Sequence, residues 1–352
     1  MASQERRKSG WRSRAAAALV GLALSLIACE LGARWLYLRD YQREARQYDE
    51  ARMMLIREPD RDYEYRMKPD HSGSNTLAGQ TWRLTTNSRG FRGREIAARK
   101  TPGRFRMLFL GDSVTFGVGV EDDEVFTELV AAESGDGGRA IEVVNLGVPG
   151  YNLHQECALL EEQIDLWNPD VVALTLGPND AEPQFTVPPH PRHALRKVRF
   201  WFLERTRETL NDLFHGSAEH HPLKRLRYDV DWTAGFEPDN PKRRLARTAF
   251  ARMAGLCRDR EIPLLTLYAN TCDTTLLDDA YSMVRNAFAD WARAEGVPHV
   301  DLFERQAARG HRELWINHDA HPNALGHELI AEGWLEALRP MIAKAELDSA
   351  PR

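Results

Sequence analysis

Residues 104–113 read RFRMLFLGDS. A short apolar run ends at Gly111-Asp112, the signature of a buried strand that stops at a tight turn. The stretch EVFTELVAAES (124–134) follows with helical spacing, and AIEVVNLG (140–147) reads as a second strand. NLHQECALLEEQIDLWN (152–168) is an amphipathic helix with Asn152 as its N-cap, and PDVVALTLG (169–177) is a third strand, apolar on both faces. The pattern resumes after an insertion. RRLARTAFARMAGLCRDRE (243–261) is helical, IPLLTLYA (262–269) a strand, DDAYSMVRNAFADWARAEG (278–296) helical and VPHVDLF (297–303) a strand. The final helix is ALGHELIAEGWLEALRPMIAKAEL (324–347). Strand–helix alternation of this kind predicts an α/β fold with a central, mostly parallel five-stranded sheet and helices on both faces.

The predicted boundaries follow from this pattern. Residues 1–39 form a basic segment and an apolar run, 40–103 a spacer packing on the main domain, and 104–346 the main domain. An insertion at about 183–240 follows a strand end, which places it over the face where open α/β sheets bind ligands. The insertion holds one helical stretch, ALRKVRFWFLERTRETLNDLF (194–214), and the surface histidines His190, His193, His220 and His221. Within the spacer, QREARQYDEARMMLIRE (42–58) reads as a helix and the remainder as short strands and turns.

At the N-terminus, the basic MASQERRKSGWRSR precedes the apolar AAAALVGLALSLIA. Taken through Leu38, the run is long enough to span a bilayer. Glu30 and Arg34, four residues apart, can pair on one helical face. Basic residues ahead of the run predict a cytoplasmic N-terminus and a main domain outside the cytoplasm. An uncleaved membrane helix is the expectation. The alternative is a lipoprotein, because LIAC (26–29) resembles a box that would be cut and lipidated at Cys29.

Net charge is −5 and the pI about 6.2, and the basic residues do not form a stripe, so nothing points to nucleic acid. Four cysteines (Cys29, Cys157, Cys257, Cys272) are too few and scattered for a disulfide scaffold, although Cys257 and Cys272 flank an apolar run and could pair in an oxidising compartment.

In an open parallel sheet, ligands sit beyond the carboxyl ends of the strands. The first strand delivers Gly111-Asp112-Ser113 to that edge, the second NLGVPG, the third GPND, and the approach to the last helix HDAH. Acyl transfer through serine needs a nucleophile, a base, an acid that orients the base, and donors for the oxyanion. These segments supply a hydroxyl, glycine turns with free N–H groups, a side-chain amide, and an acid among imidazoles. GDSVTFGVGV lacks the Gly-Lys-Ser/Thr ending of a phosphate loop. A metal site from His318, Asp319, His321 and His327 would need ligands to converge from both sides of a helix start, and His327 lies more than a turn inside that helix. Asp112 and Asp180, beside tight turns, are read as binding backbone N–H groups, and Asn145 as tying a turn.

Together, FLGDSVTFGVG (109–119), NLGVPGYN (145–152), LGPND (176–180) and HDAHPNALGH (318–327) resemble the four ordered blocks of the SGNH, or GDSL-type, esterase superfamily. The resemblance covers about 104–345. It implies a flavodoxin-like three-layer α/β/α sandwich, with neither metal nor organic cofactor. It also implies Ser113 as nucleophile, His321 as general base, and an oxyanion hole made by the Ser113 N–H, the Gly150 N–H and the Asn179 side chain. TTNSRGFRG (85–93), together with the N-terminal run, resembles membrane-attached bacterial members. One departure is plain: the common last block is Asp-x-x-His, whereas the acid here is Asp319, two residues before His321. The reading is a membrane-anchored, extracytoplasmic serine esterase acting on a small ester or an acylated cell-surface glycan, O-acetyl being one such acyl group. An O-acyltransferase using the same residues and a non-catalytic binding module are the alternatives.

Overall fold

The computed structural model describes residues 14, 16–32, 34–35, 55–58, 61–63, 65–77, 80–132, 141–181, 236–269, 279–316 and 321–349. The chain divides into two compact units, one of residues 1–49 and 189–230, the other of residues 50–188 and 231–352. In the first unit, residues 16–32 are helical. The Arg34 Nε sits 2.8 Å from a Glu30 carboxylate oxygen, as their spacing predicted. Among the described residues, no helix is long and apolar enough to cross a membrane. The expected membrane helix therefore gains no support from the structure; Ala15, Ala33 and the stretch from 36 to 38, on which its length depended, lie outside the described residues.

The second unit is built on a sheet of β5 (Phe105–Leu110), β6 (Ile141–Asn145), β7 (Val171–Leu176), β8 (Leu264–Tyr268) and β9 (His299–Asp301). The spatial order is β6-β5-β7-β8-β9 and every pairing is parallel. Numbered by their own succession these strands run 2-1-3-4-5, the flavodoxin-like order, which reverses direction at β5 and opens a crevice at the carboxyl edge there. The strands alternate residues between two cores, as a period of two requires. Leu108, Leu110, Val172 and Leu174 face α3 (Leu153–Trp167), α4 (Pro241–Asp259) and α5 (Asp279–Glu295). Met107, Phe109, Val171 and Ala173 face α2 (Phe126–Ala132) and α8 (Ala324–Ser349). The three-layer sandwich is thus set by side chains that are apolar on both faces of each central strand.

Helix starts are local. Asn152 caps α3 by accepting from the N–H groups of His154 (3.0 Å) and Gln155 (3.1 Å), while the Gln155 side chain reaches back to the Asn152 N–H. Asn240 caps α4, whose first residue is Pro241. Two short helices, α6 (Phe303–Arg309) and α7 (His311–Leu314), lie where the sequence shows no helical period.

Ahead of the sheet, β1 (Leu55–Arg57) pairs antiparallel with β2 (Tyr65–Met67), and β3 (Ser72–Leu77) with β4 (Gln80–Thr85). Short strands were expected here, but Leu55–Arg57 corrects the helix drawn over 42–58: pairing with β2 overrides a helical propensity that has no apolar face to bury. Residues 41–54 and most of the 183–240 insertion, including its expected helix and histidines, lie outside the described residues, as does Cys272.

Candidate active site

Ser113 begins α1 (Ser113–Phe116), a single turn directly after β5. Asp112 caps it, its Oδ1 accepting the Val114 N–H at 2.8 Å. Ser113 is half-buried, and its N–H has no internal acceptor among the described residues.

The loop after β6 packs against this turn. Asn145 Oδ1 accepts the Gly147 N–H (2.9 Å), and its Nδ2 donates to the Thr115 carbonyl (2.8 Å) and the Thr127 hydroxyl (3.1 Å). One amide thus ties a turn, as expected, and also pins it to α1 and α2. Gly147 is required by this approach, since a Cβ there would meet the Thr115 carbonyl carbon at 2.7 Å and overlap the Phe116 nitrogen. The Val148 N–H donates to the Gly111 carbonyl at 3.1 Å. The chain then reaches Gly150, at φ +83°, a conformation that favours glycine. Its N–H also lacks an internal acceptor among the described residues.

The loop after β7 brings Asn179 to the same edge. Its Nδ2 donates to the Tyr151 carbonyl at 3.3 Å, and its side chain hydrogen-bonds Asp112. Asp180 Oδ2 accepts the Gly177 N–H at 2.8 Å, closing the turn. Asp112 and Asp180 therefore bind backbone N–H groups, as their positions beside turns implied.

His321 is placed by the start of α8. Its carbonyl accepts the Ile316 N–H (2.9 Å), and Trp315 bridges to Pro322. Asn323 binds the Glu313 and Trp315 carbonyls through Nδ2 and accepts the Gly326 N–H (3.0 Å), so Pro322-Asn323 turns the chain into the last helix. His321 is half-buried and close enough to Asp112 to favour its charged form. Ser113, His321, Asn179 and the Gly150 loop are thus linked through Asp112 and its neighbours. Asp319 and His318 lie outside the described residues.

His327 is buried inside α8. Its Nδ1 accepts the Phe126 N–H at 3.3 Å and its ring stacks on Phe126. Burial, reinforced by Arg92 and His321, pushes its pKa down to about 3, so the imidazole is neutral. Among the described residues, no group of His, Cys, Asp and Glu side chains is arranged to hold a metal ion.

Beneath the loops lies a feature that sequence reasoning missed. Glu156, fully buried on α3, has no partner for either carboxyl oxygen, and Asp180 Oδ1 is likewise without one among the described residues. Burial, and then the negative charges of Asp180 and Asp112, raise the Glu156 pKa well above the usual range. Burial and the Asp112 charge raise that of Asp180, against the Gly177 N–H. Asp112 is raised by burial but opposed by Val114, Asn179 and His321. Of the three, Glu156 alone has nothing beside it to stabilise its anion, which favours its protonated form. In sequence it is simply one more glutamate in an amphipathic helix.

A serine at the end of a parallel strand, with unspent backbone donors beside it, supplies what acyl transfer needs, and the family match makes the class that of an ester-hydrolysing enzyme. The chain belongs to the GDSL-like lipase/acylhydrolase family, whose model matches residues 109–329, more than half the sequence. Among curated proteins none matches significantly. Solved structures similar to the chain include TesA (16% identity, 67% of this chain and 98% of that one, TM-score 0.45). The psychrotrophic esterase EstA from Pseudoalteromonas sp. is similar at 14% identity, over 68% and 98%, with a TM-score of 0.43. A catalytic mutant of Axe2, an acetylxylan esterase from Geobacillus stearothermophilus, is similar at 15%, over 66% and 93%, with a TM-score of 0.42.

Proposed function

We propose that the protein is a serine esterase in which Ser113 is the nucleophile and His321 its general base. The Ser113 Oγ attacks the ester carbonyl as its proton passes to the imidazole. The tetrahedral oxyanion is held by the Ser113 and Gly150 N–H groups and by the Asn179 amide, which exchanges its long 3.3 Å bond to Tyr151 for the anion. Collapse returns the proton to the leaving alcohol and leaves an acyl group on Ser113. Water, deprotonated by His321, then releases the acid. Asp319 is the acid assigned to orient His321. The observation that carries this reading is the pair of backbone donors, at Ser113 and Gly150, with no internal acceptor among the described residues.

The substrate assigned is a short-acyl ester, an O-acetyl group on a surface glycan being the favoured form. The catalytic unit is placed outside the cytoplasm on the basic-then-apolar order of residues 1–28 alone. Fractionation of the intact chain tests that placement, and recovery in the cytosol sinks it. Hydrolysis of short p-nitrophenyl esters tests the chemistry. Ser113→Ala and His321→Ala should each cost about 10⁴-fold or more in kcat. Activity that survives Ser113→Ala ends the reading.

A further inference from the structure

The hairpin segment ahead of the sheet precedes the family match, yet it grips the two loops that carry the backbone donors. Tyr65, on β2, is buried and donates its hydroxyl to the Pro149 carbonyl at 2.9 Å. That hydroxyl would stand 3.0 Å from a Cβ placed on Gly150. From the other direction, the Tyr151 hydroxyl donates to the Tyr65 carbonyl, and the two rings pack edge to face at 5.2 Å. The Gln155 side chain adds a bond to the Tyr63 carbonyl at 3.1 Å. The peptide unit between Pro149 and Gly150 carries the Gly150 N–H on one side and the carbonyl held by Tyr65 on the other. Because a peptide is planar, fixing that carbonyl fixes the aim of the N–H.

Arg92 does the same for the serine turn. It is buried between the Trp82 and Phe116 rings, with its guanidinium carbon 5.1 and 5.3 Å from their centres. It donates to the carbonyls of Phe116 (3.1 Å), Gly117, Val120 (2.6 Å) and Arg83 (3.4 Å) and to Asp122 (2.9 Å). Phe116 and Gly117 end the turn that Ser113 begins, and the Gly117 N–H returns to the Ser113 carbonyl at 3.0 Å. The planar fork suits this task, since lysine cannot address several carbonyls at fixed angles.

We propose that the segment from Tyr65 to Arg92 completes the active site: Tyr65 and Arg92 are positioning residues that aim the Gly150 and Ser113 N–H donors at the developing oxyanion. This rests on the serine-esterase reading. Donors aimed at a transition-state charge affect kcat more than KM.

The test compares Tyr65→Phe with Tyr63→Phe in the full chain. Tyr63 lies on the same segment and also donates one hydroxyl bond, at 3.1 Å, but to Glu162 on α3, away from the donor loops. Tyr65→Phe should lower kcat about tenfold with KM within about twofold, a fraction of the ~100–1000-fold that loss of a donor outright costs. Tyr63→Phe should leave kcat within about twofold at a comparable loss of Tm. Arg92→Lys is the second arm and should lower kcat in the same selective way. Equal kcat values for Tyr65→Phe and Tyr63→Phe overturn the proposal, as does an effect of Tyr65→Phe confined to KM. So does a Tyr65→Phe protein that fails to fold while Arg92→Lys folds with unchanged kcat. Activity that persists in Ser113→Ala marks failure of the serine-esterase reading instead.

Discussion

Replacing Glu156 with glutamine removes a carboxyl whose pKa burial raises, and the effect should appear as a change in the pH dependence of stability. Both Glu156 oxygens and Asp180 Oδ1 are buried without partners among the described residues, and burial together with Asp180 and Asp112 raises the Glu156 pKa. A carboxyl whose pKa is higher in the native chain than in the unfolded one binds more protons when native. Its contribution is therefore full below the unfolded carboxyl range and declines as pH rises towards the native pKa. His327 works oppositely: its pKa, lowered to about 3, makes stability rise with pH up to the ordinary histidine range. The two slopes oppose each other in acid, so the carboxyl is read cleanly only above about pH 6.5.

In that range one retained proton costs about 1.4 kcal/mol of stability per pH unit. From pH 6.5 to 8.0 the wild-type chain should lose stability through Glu156 for as long as the native carboxyl keeps its proton, with an upper bound of about 2 kcal/mol, or about 4–8 °C in Tm for a domain of this size. Glu156→Gln keeps the shape, carries no charge and supplies an N–H₂ donor that Asp180 Oδ1 can accept. Its Tm should exceed that of the wild type at pH 8.0, with the gap closing towards pH 6.5. Thermal unfolding at four pH values in that interval, followed by tryptophan fluorescence, measures it. Parallel slopes for the two proteins would mean that native Glu156 has already lost its proton by pH 6.5, and the account in which burial holds that proton through neutral pH would be wrong.

Three further outcomes are expected. Glu142→Ala strips the carboxylate from Arg106, which is fully buried and bonded to Glu142 at 2.7 and 2.9 Å; a buried guanidinium left with only the Ala97, Ala98 and Trp167 carbonyls and no counter-charge should cost about 3–5 kcal/mol by urea denaturation. Asn145→Ala loses bonds to Gly147, Thr115 and Thr127 at once and should cost about 2–3 kcal/mol, with a fall in kcat because the serine turn loses its tie to β6. Asp319→Asn should reduce kcat by well over tenfold if this carboxylate orients His321, given that an orienting acid is worth about 10⁴-fold; a loss under tenfold removes it from the triad.

The sheet was legible in the sequence because its central strands are buried on both faces. Runs such as VVALTL (171–176) have no other stable environment, and Asn152 and Pro322-Asn323 mark helix starts by chemistry that acts over three or four residues. The candidate site was legible for the same local reason: Ser113, Gly150 and Asn179 each stand within a few residues of a strand end. The short helices over 303–314 escaped because single turns hold by tertiary contact rather than by period. Leu55–Arg57 was read as helix because its partner, Tyr65–Met67, carries the information that makes it a strand.

Tyr65, Arg92 and Glu156 share a different reason for having been invisible. Each acts across long sequence separations, on groups that are backbone carbonyls or buried carboxyls, and backbone carbonyls are present at every position whatever the sequence. A guanidinium that binds the carbonyls of residues 116, 117 and 120 has no partner side chain there for a motif to capture. The same fact explains the architecture. A short glycine-rich loop cannot hold its own N–H groups at a fixed angle, because glycine widens the conformational choice that a donor must lose. Something outside the loop has to remove that freedom, and here the carbonyls, the one set of handles that glycine does not lack, are taken by Tyr65 and Arg92. A segment read as a spacer is therefore bonded to both loops of the proposed site, to Pro149 through Tyr65 and to Phe116 and Gly117 through Arg92.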